Sequence, residues 1–405
     1  MFLQFVGELG IKKAPMEHLI IVGNIADNPF VADISQHLNQ AMDYSDLISL
    51  KSYLNNEFCP RFIAGEDSYE EIGNNLEGYS VLIISSTQFM YSRDELAMRN
   101  LIIARAAKDN GAERVLLLEP DLFYSAQDRG PRKEHGFVDF ERSIDDYKKF
   151  NGQAFTSRLY ADLLKESGVD EVITVHNHSN SVKRLFMERF SGHFYNLQPS
   201  DIFANYIKES DIVEHRNLVL CAPDHGALSF VREVHDELGL KNAPVIIMKK
   251  ERIAERQVYM DLDPLSDITL DQVAGKHVVV IDDMVRTGNT IVECCRLLRE
   301  AGAARVVFFV THFYSSQEGR IKLNDPVIDE IVTTSTIPQI LNRDMQGRLR
   351  HKMVVLRIPR WISSFIYQHL APNSKPFARP LYVEDMSSKN PRWKSRMVGP
   401  LFQED

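Results

Sequence analysis

The chain has 405 residues, 44% hydrophobic and 25% charged, which is typical of a globular protein with two or three domains. Acidic residues outnumber basic ones, 56 to 47, so the formal net charge is -9 and general nucleic-acid binding is not expected. No apolar run approaches the roughly 20 residues of a membrane-spanning helix, and the amino-terminal segment lacks a signal-peptide pattern. Four cysteines without C-x-x-C spacing complete the expectation of a cytoplasmic protein without membrane segments, in a reducing compartment.

Short runs rich in β-branched residues alternate with amphipathic segments, which predicts an α/β fold with mostly parallel sheets covered by helices. Strands are predicted at 18–24, 79–86, 113–120, 170–178, 217–223, 243–250, 276–283, 304–312 and 329–336. Two helices, predicted at 94–111 and 289–302, each end on a glycine, a common stop signal.

Two parts of the chain repeat one order of strand, helix and glycine. Residues 78–86 correspond to 275–283, and GAERV at 111–115 corresponds to GAARV at 302–306. Look-alikes arise in any α/β protein, but the matching order favours two related lobes that divide near residues 195–210. We expect lobes over 1–200 and 201–370, followed by an extended arm or an unstructured terminus over 371–405. The strand of the first lobe ends in two serines where that of the second ends in two aspartates, so only the second keeps a polyol-binding loop.

The strongest motif is HVVVIDDMVRTGNTIVECC at 277–295, in which an apolar strand leads through a short loop into a helix. The loop offers backbone N–H groups, hydroxyls and the positive end of a helix dipole, which together suit a phosphate. The paired carboxylates beside it are acceptors suited to the vicinal hydroxyls of a ribose. The bland alternative is a tight turn with two solvated acids. The motif predicts a sugar-phosphate site at Asp282, Asp283, Arg286, Thr287, Gly288, Asn289 and Thr290.

This segment resembles the phosphoribosyl-diphosphate (PRPP) loop of type I phosphoribosyltransferases. From about residue 18 to 370 the chain resembles the ribose-phosphate diphosphokinases (PRPP synthetases), which consist of two such lobes and keep the loop only in the second. The resemblance implies two tandem phosphoribosyltransferase-like lobes and an enzyme that transfers the diphosphate of ATP to ribose 5-phosphate, with Mg²⁺ as cofactor. It also implies a homo-oligomer, in which dimers assemble to a hexamer.

Further motifs carry the resemblance: FIAGE at 62–66, LFYSAQD at 122–128, VHNH at 175–178, APDHGA at 222–227, KER at 250–252 and TSTIPQ at 334–339. They imply ATP contacts by Phe62, Glu66, Gln127, Asp128 and His178. They imply a diphosphate loop at Asp224, His225 and Gly226, metal binding by His178 and Asp224, and catalysis by Lys250 and Arg252. The two catalytic candidates are two residues apart at the end of a predicted strand, so their side chains project from the same face.

The chain departs from the family pattern mainly at the nucleotide. Ala126 replaces an arginine that contacts ATP, and Ala64 replaces an acidic or amide residue. His176 and Ala227 replace an aspartate and a glycine, and Arg286 stands where relatives often have an acid. A lost charge-assisted contact removes roughly 1.5–3 kcal/mol, so weakened ATP binding is expected.

Residues 129–152 form a charged stretch with little apolar periodicity, which predicts a long loop or flap. Its first cations, Arg129, Arg132 and Lys133, follow the altered Ala126 closely in sequence. We expect this insertion to supply positive charge to the phosphates of the nucleotide.

Three other functions stay open. The chain is a diphosphokinase with another ribose-5-phosphoryl acceptor such as ADP-ribose, a non-catalytic homologue that regulates active subunits, or a phosphoribosyltransferase or PRPP sensor. Ala64 and Ala126 favour the regulatory homologue, whereas the retained Lys250, Arg252 and sugar-phosphate loop favour an enzyme. The retained motifs of the first lobe argue against the single-lobed transferase.

Overall fold

The computed structural model describes residues 18–26, 28–39, 46–63, 72–138, 140–254 and 257–386. The first part of the chain contains β1 (Leu19–Gly23), α1 (Pro29–His37), β2 (Ile48–Ser52), β3 (Phe58–Phe62), β4 (Ser80–Ile84), α2 (Arg93–Asp109), β5 (Arg114–Leu118), α3 (Ile144–Phe150), α4 (Thr156–Glu166), β6 (Glu171–Val175), α5 (Asn180–Arg189) and β7 (Phe194–Leu197).

The second part begins with α6 after a short connection from β7. It contains α6 (Ser200–Glu209), β8 (Leu218–Ala222), α7 (Leu228–Leu238), β9 (Val245–Ala254), β10 (Gln257–Leu262), β11 (His277–Val285), α8 (Asn289–Glu300), β12 (Arg305–Phe313), α9 (Gln317–Leu323), β13 (Glu330–Thr334), α10 (Arg343–Gln346), β14 (Met353–Arg357), α11 (Pro359–Leu370) and β15 (Val383–Met386). In the described residues, no helix is both long and apolar enough to span a membrane.

Two sheets organise the molecule. The first has the strand order β1-β4-β5-β6-β7 and is entirely parallel. The second has the order β10-β9-β8-β11-β12-β13-β14-β15, and its parallel strands β8, β11, β12, β13 and β14 follow the order of the first sheet. The internal repeat is therefore confirmed at the level of topology, and so is the α/β fold class with two lobes built on mostly parallel sheets.

All nine predicted strands are present, because each is a nearly continuous apolar run buried on both faces. In β11, the segment 278–281 is completely buried, as is 306–310 in β12. Helices cover both faces of such parallel sheets, so the strands do not alternate between apolar and polar residues. The strands that the sequence did not predict are β2, β3, β7, β10, β14 and β15, which are short, at sheet edges or in hairpins.

Helix α11 lies in the predicted second lobe but packs on the first. It contacts α1, and its His369 Nε2 lies 2.8 Å from Oε2 of Glu171 in β6. Glu171 is only 3% exposed and also pairs with Arg114 of β5. Burial alone would raise the pKa of Glu171, but the hydrogen bonds from His369 and Arg114 lower it. The expected second lobe, 201–370, ends with α11, but this helix fastens the two lobes together.

The described part of the carboxyl-terminal arm lies against its own chain. Residue Tyr382 is 6% exposed, and β15 pairs antiparallel with β14 at the edge of the second sheet. The extended arm stays a prediction, and its residues after 386 lie outside the described part of the structure.

The insertion 129–152 contains the short helix α3, so its prediction as a long loop or flap is wrong for residues 144–150. Ser143 caps α3, and Asp146 of this helix accepts hydrogen bonds from Arg129 at 3.2 Å and Arg142 at 2.6 Å. Arg142 also donates to the backbone oxygen of Gly130 at 2.9 Å. Because this charged sequence has few apolar residues, Asp146 with its partners Arg129 and Arg142 holds the segment together.

The attachment of α11 predicts a difference between neighbouring positions on this helix. His369→Ala should lower the free energy of unfolding by about 1–3 kcal/mol, because it leaves a buried carboxylate with one donor fewer. Gln368→Ala, at an exposed position beside it, should change it by less than about 0.5 kcal/mol. Urea denaturation of the two variants measures the difference, and equal effects would contradict this account of α11.

Candidate active site

A cavity of about 330 Å³ lies where the carboxyl ends of strands from the two sheets meet. Such strand ends are where open α/β sheets bind ligands. The first lobe contributes residues that follow β5 and β6, and the second contributes residues that follow β8 and β11. The lining residues are Ala126, His178, Asp224, Asp282, Met284, Val285, Arg286, Thr287, Gly288, Asn289, Thr290 and Ile291.

The sugar-phosphate loop leads from β11 into α8 and forms one wall of this cavity. Gly288 has a φ of 81° and precedes the first residue of α8, so the loop ends at the positive end of the helix dipole, where backbone N–H groups suit an anion. A Cβ atom at this glycine would lie 2.9 Å from Cγ of Leu323 in α9. Backbone conformation and packing both require glycine here, and the resulting turn suits the predicted phosphate.

Carboxylates crowd the base of the loop. Burial, followed by the charges of Asp283 and Asp224, raises the pKa of Asp282 well above its ordinary value. The Oδ1 atom of Asp224 accepts the backbone N–H of Ala227 at 3.1 Å and so holds the turn before α7. This part of the cavity therefore favours a cation or a set of hydroxyl donors over a further anion.

The residue His178 joins the two lobes across the cavity. Its Nδ1 atom forms an ion pair with Oδ2 of Asp283. Burial alone would raise the pKa of Asp283, but the hydrogen bond from His178 outweighs it and lowers the pKa to about 2. The same hydrogen bond raises the pKa of His178. Asp283 is therefore a charged acceptor whose orientation is set from the first lobe.

Buried hydrogen bonds between the two lobes position the loop that carries His178. Nε2 of His312, at the end of β12, lies 3.0 Å from the carbonyl oxygen of Val175 and donates to it. Nδ1 of His176 lies 2.6 Å from the hydroxyl of Thr311. His176 has a φ of 45°, a strained backbone conformation for this residue type, and burial lowers its pKa to about 3, so its imidazole is neutral. His176, which differs from the pattern that the sequence resembles, therefore serves as a structural contact between the lobes.

The structure brings together only part of the predicted site. His178, Asp224 and Asp282 line the cavity with all five loop residues, and Asp283 reaches it through His178. His225 instead pairs with Asp263 at 2.8 Å, and neither it nor Gly226 is part of the lining.

Of the predicted nucleotide contacts in the first lobe, Asp128 accepts a hydrogen bond from Ser179 at 2.6 Å, beside His178. Gln127 is exposed outside the lining, and Phe62 is 5% exposed within the core of the first lobe. In this arrangement Phe62 offers almost no ring surface to a purine, so the predicted stacking requires a rearrangement.

Several predicted residues lie outside the described part of the structure. Glu66 and Ala64 belong to the undescribed range 64–71. Lys250 and Arg252 have a described backbone in β9, paired with Met260 and Val258 of β10, but their side chains are not described. Their catalytic role stays a prediction.

The equivalent position in the first lobe is closed. Ser85 and Ser86, which replace the two aspartates, are 1% and 5% exposed. The Oε1 atom of Glu119 accepts hydrogen bonds from Ser85 at 2.9 Å, Asn100 at 3.0 Å and Tyr160 at 3.1 Å. Side chains occupy the space that a ligand needs, which explains why only the second lobe retains an open loop.

Sequence reasoning missed a polar cluster beside the cavity. The hydroxyl of Tyr314, which follows β12, donates to Oδ1 of Asp121 at 3.0 Å, and Asp121 pairs with Arg93 of α2. The guanidinium carbons of Arg93 and Arg286 lie 5.2 and 5.7 Å from the centroid of the Tyr314 ring. The pair Asp121 and Tyr314 is 193 residues apart in sequence, so no local pattern signals it.

The carboxylates at the loop fit a magnesium ion, because Mg²⁺ prefers oxygen ligands and relieves the repulsion that raises the pKa of Asp282. No group of three or more His, Cys, Asp or Glu side chains in the described ranges is arranged to hold a metal alone. Magnesium sites in kinases use one or two carboxylates and complete the shell with substrate phosphates and water. Asp224 fits such a role better than His178, because imidazole suits other metals and His178 is paired with Asp283.

Comparisons with known proteins agree with this geometry. The model of the N-terminal domain of ribose phosphate pyrophosphokinase matches residues 19–138, and that of the phosphoribosyl transferase domain matches 200–341. The ribose-phosphate pyrophosphokinase of Campylobacter jejuni is 29% identical over 305 residues, covering 75% of this chain and 86% of that protein. The one from Corynebacterium efficiens is 28% identical over 281 residues, covering 69% and 76%.

A crystal structure of phosphoribosylpyrophosphate synthetase from Mycobacterium smegmatis has a TM-score of 0.67 to this chain. The superposition covers 88% of this chain and 100% of the Mycobacterium smegmatis chain. The two are 22% identical in sequence, so the likeness supports the fold. Fold and matches together define an enzyme with two phosphoribosyltransferase-like lobes. The chain belongs to the ribose-phosphate pyrophosphokinase family, whose members are also called ribose-phosphate diphosphokinases.

The pair of His178 and Asp283 predicts a measurable dependence on pH. Because the folded-state pKa of His178 is raised, its contribution to stability is present below about pH 6.5 and is lost as the pH rises through the folded-state value. Asp283→Asn should therefore lower the pKa of His178, measured by NMR titration of labelled histidine. Asp263→Asn, which removes the partner of His225, should leave it unchanged. An unaltered His178 pKa in the first variant would show that the pair does not form in solution.

Proposed function

We propose that the chain makes PRPP and AMP from ribose 5-phosphate and ATP, with Mg²⁺ as the cofactor. The observation that carries this proposal is the cavity in which the turn before α8 and Asp224 meet His178 of the first lobe, which pairs with Asp283. The names of the relatives support the same reaction. A phosphoribosyltransferase would need only the second lobe, whereas here His178 of the first lobe orients Asp283.

The anomeric hydroxyl of ribose 5-phosphate attacks the β-phosphorus of ATP and releases its proton to solvent, and AMP leaves with the electron pair of the broken phosphoanhydride bond. The backbone N–H groups at the start of α8 hold the 5-phosphate. Asp282 and Asp283 accept hydrogen bonds from the ribose hydroxyls and thereby orient the attacking oxygen. Asp224 would help to hold Mg²⁺, and the ion would supply positive charge to the transferred diphosphate group.

Catalysis of this kind relies on positioned charge and needs no covalent intermediate. Lys250 and Arg252 are proposed to stabilise the charge that develops between the nucleotide and the sugar. They follow one another at a spacing of two in β9, next to β8, whose end carries Asp224. Alternation along a strand places two such side chains on the same face.

The experiment is a coupled assay for AMP release from ATP and Mg²⁺, with and without ribose 5-phosphate. We expect AMP only when the sugar is present. ADP-ribose in place of ribose 5-phosphate tests the diphosphokinase with a larger acceptor. If the protein releases no AMP with either acceptor, the regulatory homologue replaces the proposed enzyme.

Lys250→Ala tests the assignment of catalysis in the same assay. Its kcat should fall by about 100-fold or more while both KM values change little, because the interaction forms mainly in the transition state. A change confined to KM would demote this residue to substrate binding. Arg232→Ala, at an exposed position of α7, removes one positive charge from the same lobe and serves as the control.

We further propose that the chain is a homo-oligomer in which dimers assemble to a hexamer. Large apolar side chains are exposed on the first lobe, among them Leu54 at the tip of the β2–β3 hairpin and Met90 and Met98 near or within α2. Light scattering should therefore give a mass of a dimer or a multiple of it. A fully active monomer would refute the assembly.

A further inference from the structure

The strongest unexplained feature of the cavity is Arg286. It is the only lysine or arginine among the described residues of the lining, and it is exposed. Within the described ranges its guanidinium forms no ion pair with a carboxylate. A cation without an anionic partner in the wall of a ligand cavity is available to a negatively charged ligand.

The side chain of Arg286 is held at the junction of the lobes. Its guanidinium carbon lies 5.7 Å from the centroid of the Tyr314 ring, within the range of a cation–π contact. The Tyr314 hydroxyl donates to Asp121 at 3.0 Å, and Asp121 pairs with Arg93. Burial and Asp121 raise the pKa of Tyr314, so its phenol stays protonated and continues to donate. The first lobe therefore fixes the ring on which Arg286 rests.

The backbone of Arg286 is held separately. The Ser316 hydroxyl donates to its carbonyl oxygen at 2.9 Å, and a Cβ on Gly319 would lie 2.6 Å from the same oxygen. The start of α9 thus packs directly against the loop. With backbone and side chain both positioned, Arg286 loses less conformational freedom when it binds an anion.

The position of the Arg286 guanidinium indicates which of the two substrates, ribose 5-phosphate or ATP, has its phosphate near this side chain. The 5-phosphate of the sugar is expected at the N–H groups of the first turn of α8, whereas the Arg286 side chain contacts Tyr314 at the lobe junction. Ala126 of the first lobe lines the same cavity and contributes no charge there. A nucleotide that spans the junction brings its polyphosphate to this side.

We propose that Arg286, positioned by Tyr314, binds the phosphates of the nucleotide and supplies from the second lobe the charge that the first lobe lacks at position 126. This assignment rests on the proposed function. It moves Arg286 from the predicted sugar-phosphate set to the nucleotide site, and it makes Tyr314 a positioning residue.

The test measures equilibrium binding to the full-length protein by calorimetry, with ATP and Mg²⁺, ribose 5-phosphate, and adenosine as separate probes. Arg286→Gln should weaken ATP binding roughly ten- to 100-fold, the effect of one charge-assisted contact. Binding of ribose 5-phosphate and of adenosine, which has no phosphate, should not change. Arg296→Gln removes an exposed arginine from α8 outside the cavity and should leave all three affinities unaltered.

Tyr314 variants test the positioning role. Tyr314→Leu should weaken ATP binding in the same direction as Arg286→Gln but by less, and should add little in the double variant. Tyr314→Phe keeps the ring and loses the bond to Asp121, so its effect should be smaller still. Additive effects in the double variant would show that Tyr314 does not act through Arg286.

The outcomes separate this inference from the proposed function. If the wild-type protein binds ATP and ribose 5-phosphate but Arg286→Gln retains full ATP affinity, or loses ribose 5-phosphate affinity instead, only the inference on Arg286 is wrong. An equal loss of adenosine binding would likewise overturn it, because the contact would not be to phosphate. If the wild-type protein binds no ATP, the inference and the proposed function fail together.

Discussion

The hydrogen bonds between the ends of β6 and β12 are the constraint on which the site depends. His312 donates to the carbonyl of Val175, and His176 meets Thr311, so the chain that follows β6 is pinned to the other sheet. These contacts are buried and lie where water does not compete for the same donors and acceptors. They hold His176 in a left-handed backbone conformation, and two residues later His178 reaches Asp283. They connect the carboxyl edges of the two sheets beside the cavity.

The two lobes have the same strand order, but the equivalent strand end is open in the second lobe and filled by side chains in the first. At the end of β11, Asp282 lines a cavity and Asp283 pairs with His178 of its wall, and the loop beyond them stays open because Gly288 makes a turn that other residues cannot. At the end of β4, Ser85 and Glu119 belong to a closed hydrogen-bond network that fills the corresponding space. The first lobe is thereby stabilised as a rigid support, and its contribution to the site comes from the ends of β5 and β6.

The sequence predicted those parts of the molecule whose information is local. Nine buried parallel strands were evident as apolar runs, and the sugar-phosphate loop as one contiguous motif. Strand β14 is an apolar run like the predicted strands and was missed, whereas β15 has four residues and is recognisable only by its pairing with β14. The Tyr314 cluster joins residues from both lobes, and the burial of Phe62 depends on how the β2–β3 hairpin packs on the first sheet. Tertiary packing decides both, and the sequence does not display it.

The distribution of charge gives the second lobe the larger share of ligand binding. In the proposed reaction, its turn before α8 binds one phosphate and its carboxylates bind the ribose and the metal, and Arg286 lines the same cavity. On the first lobe, Arg129 is already engaged with Asp146 inside the insertion, so it is not free to replace the charge missing at Ala126. A positive charge on the second lobe can replace one at position 126 of the first lobe only if its side chain is held in a fixed orientation. Tyr314, held by Asp121 and Arg93, provides that orientation, and the first lobe thus acts on the nucleotide through a residue of the second.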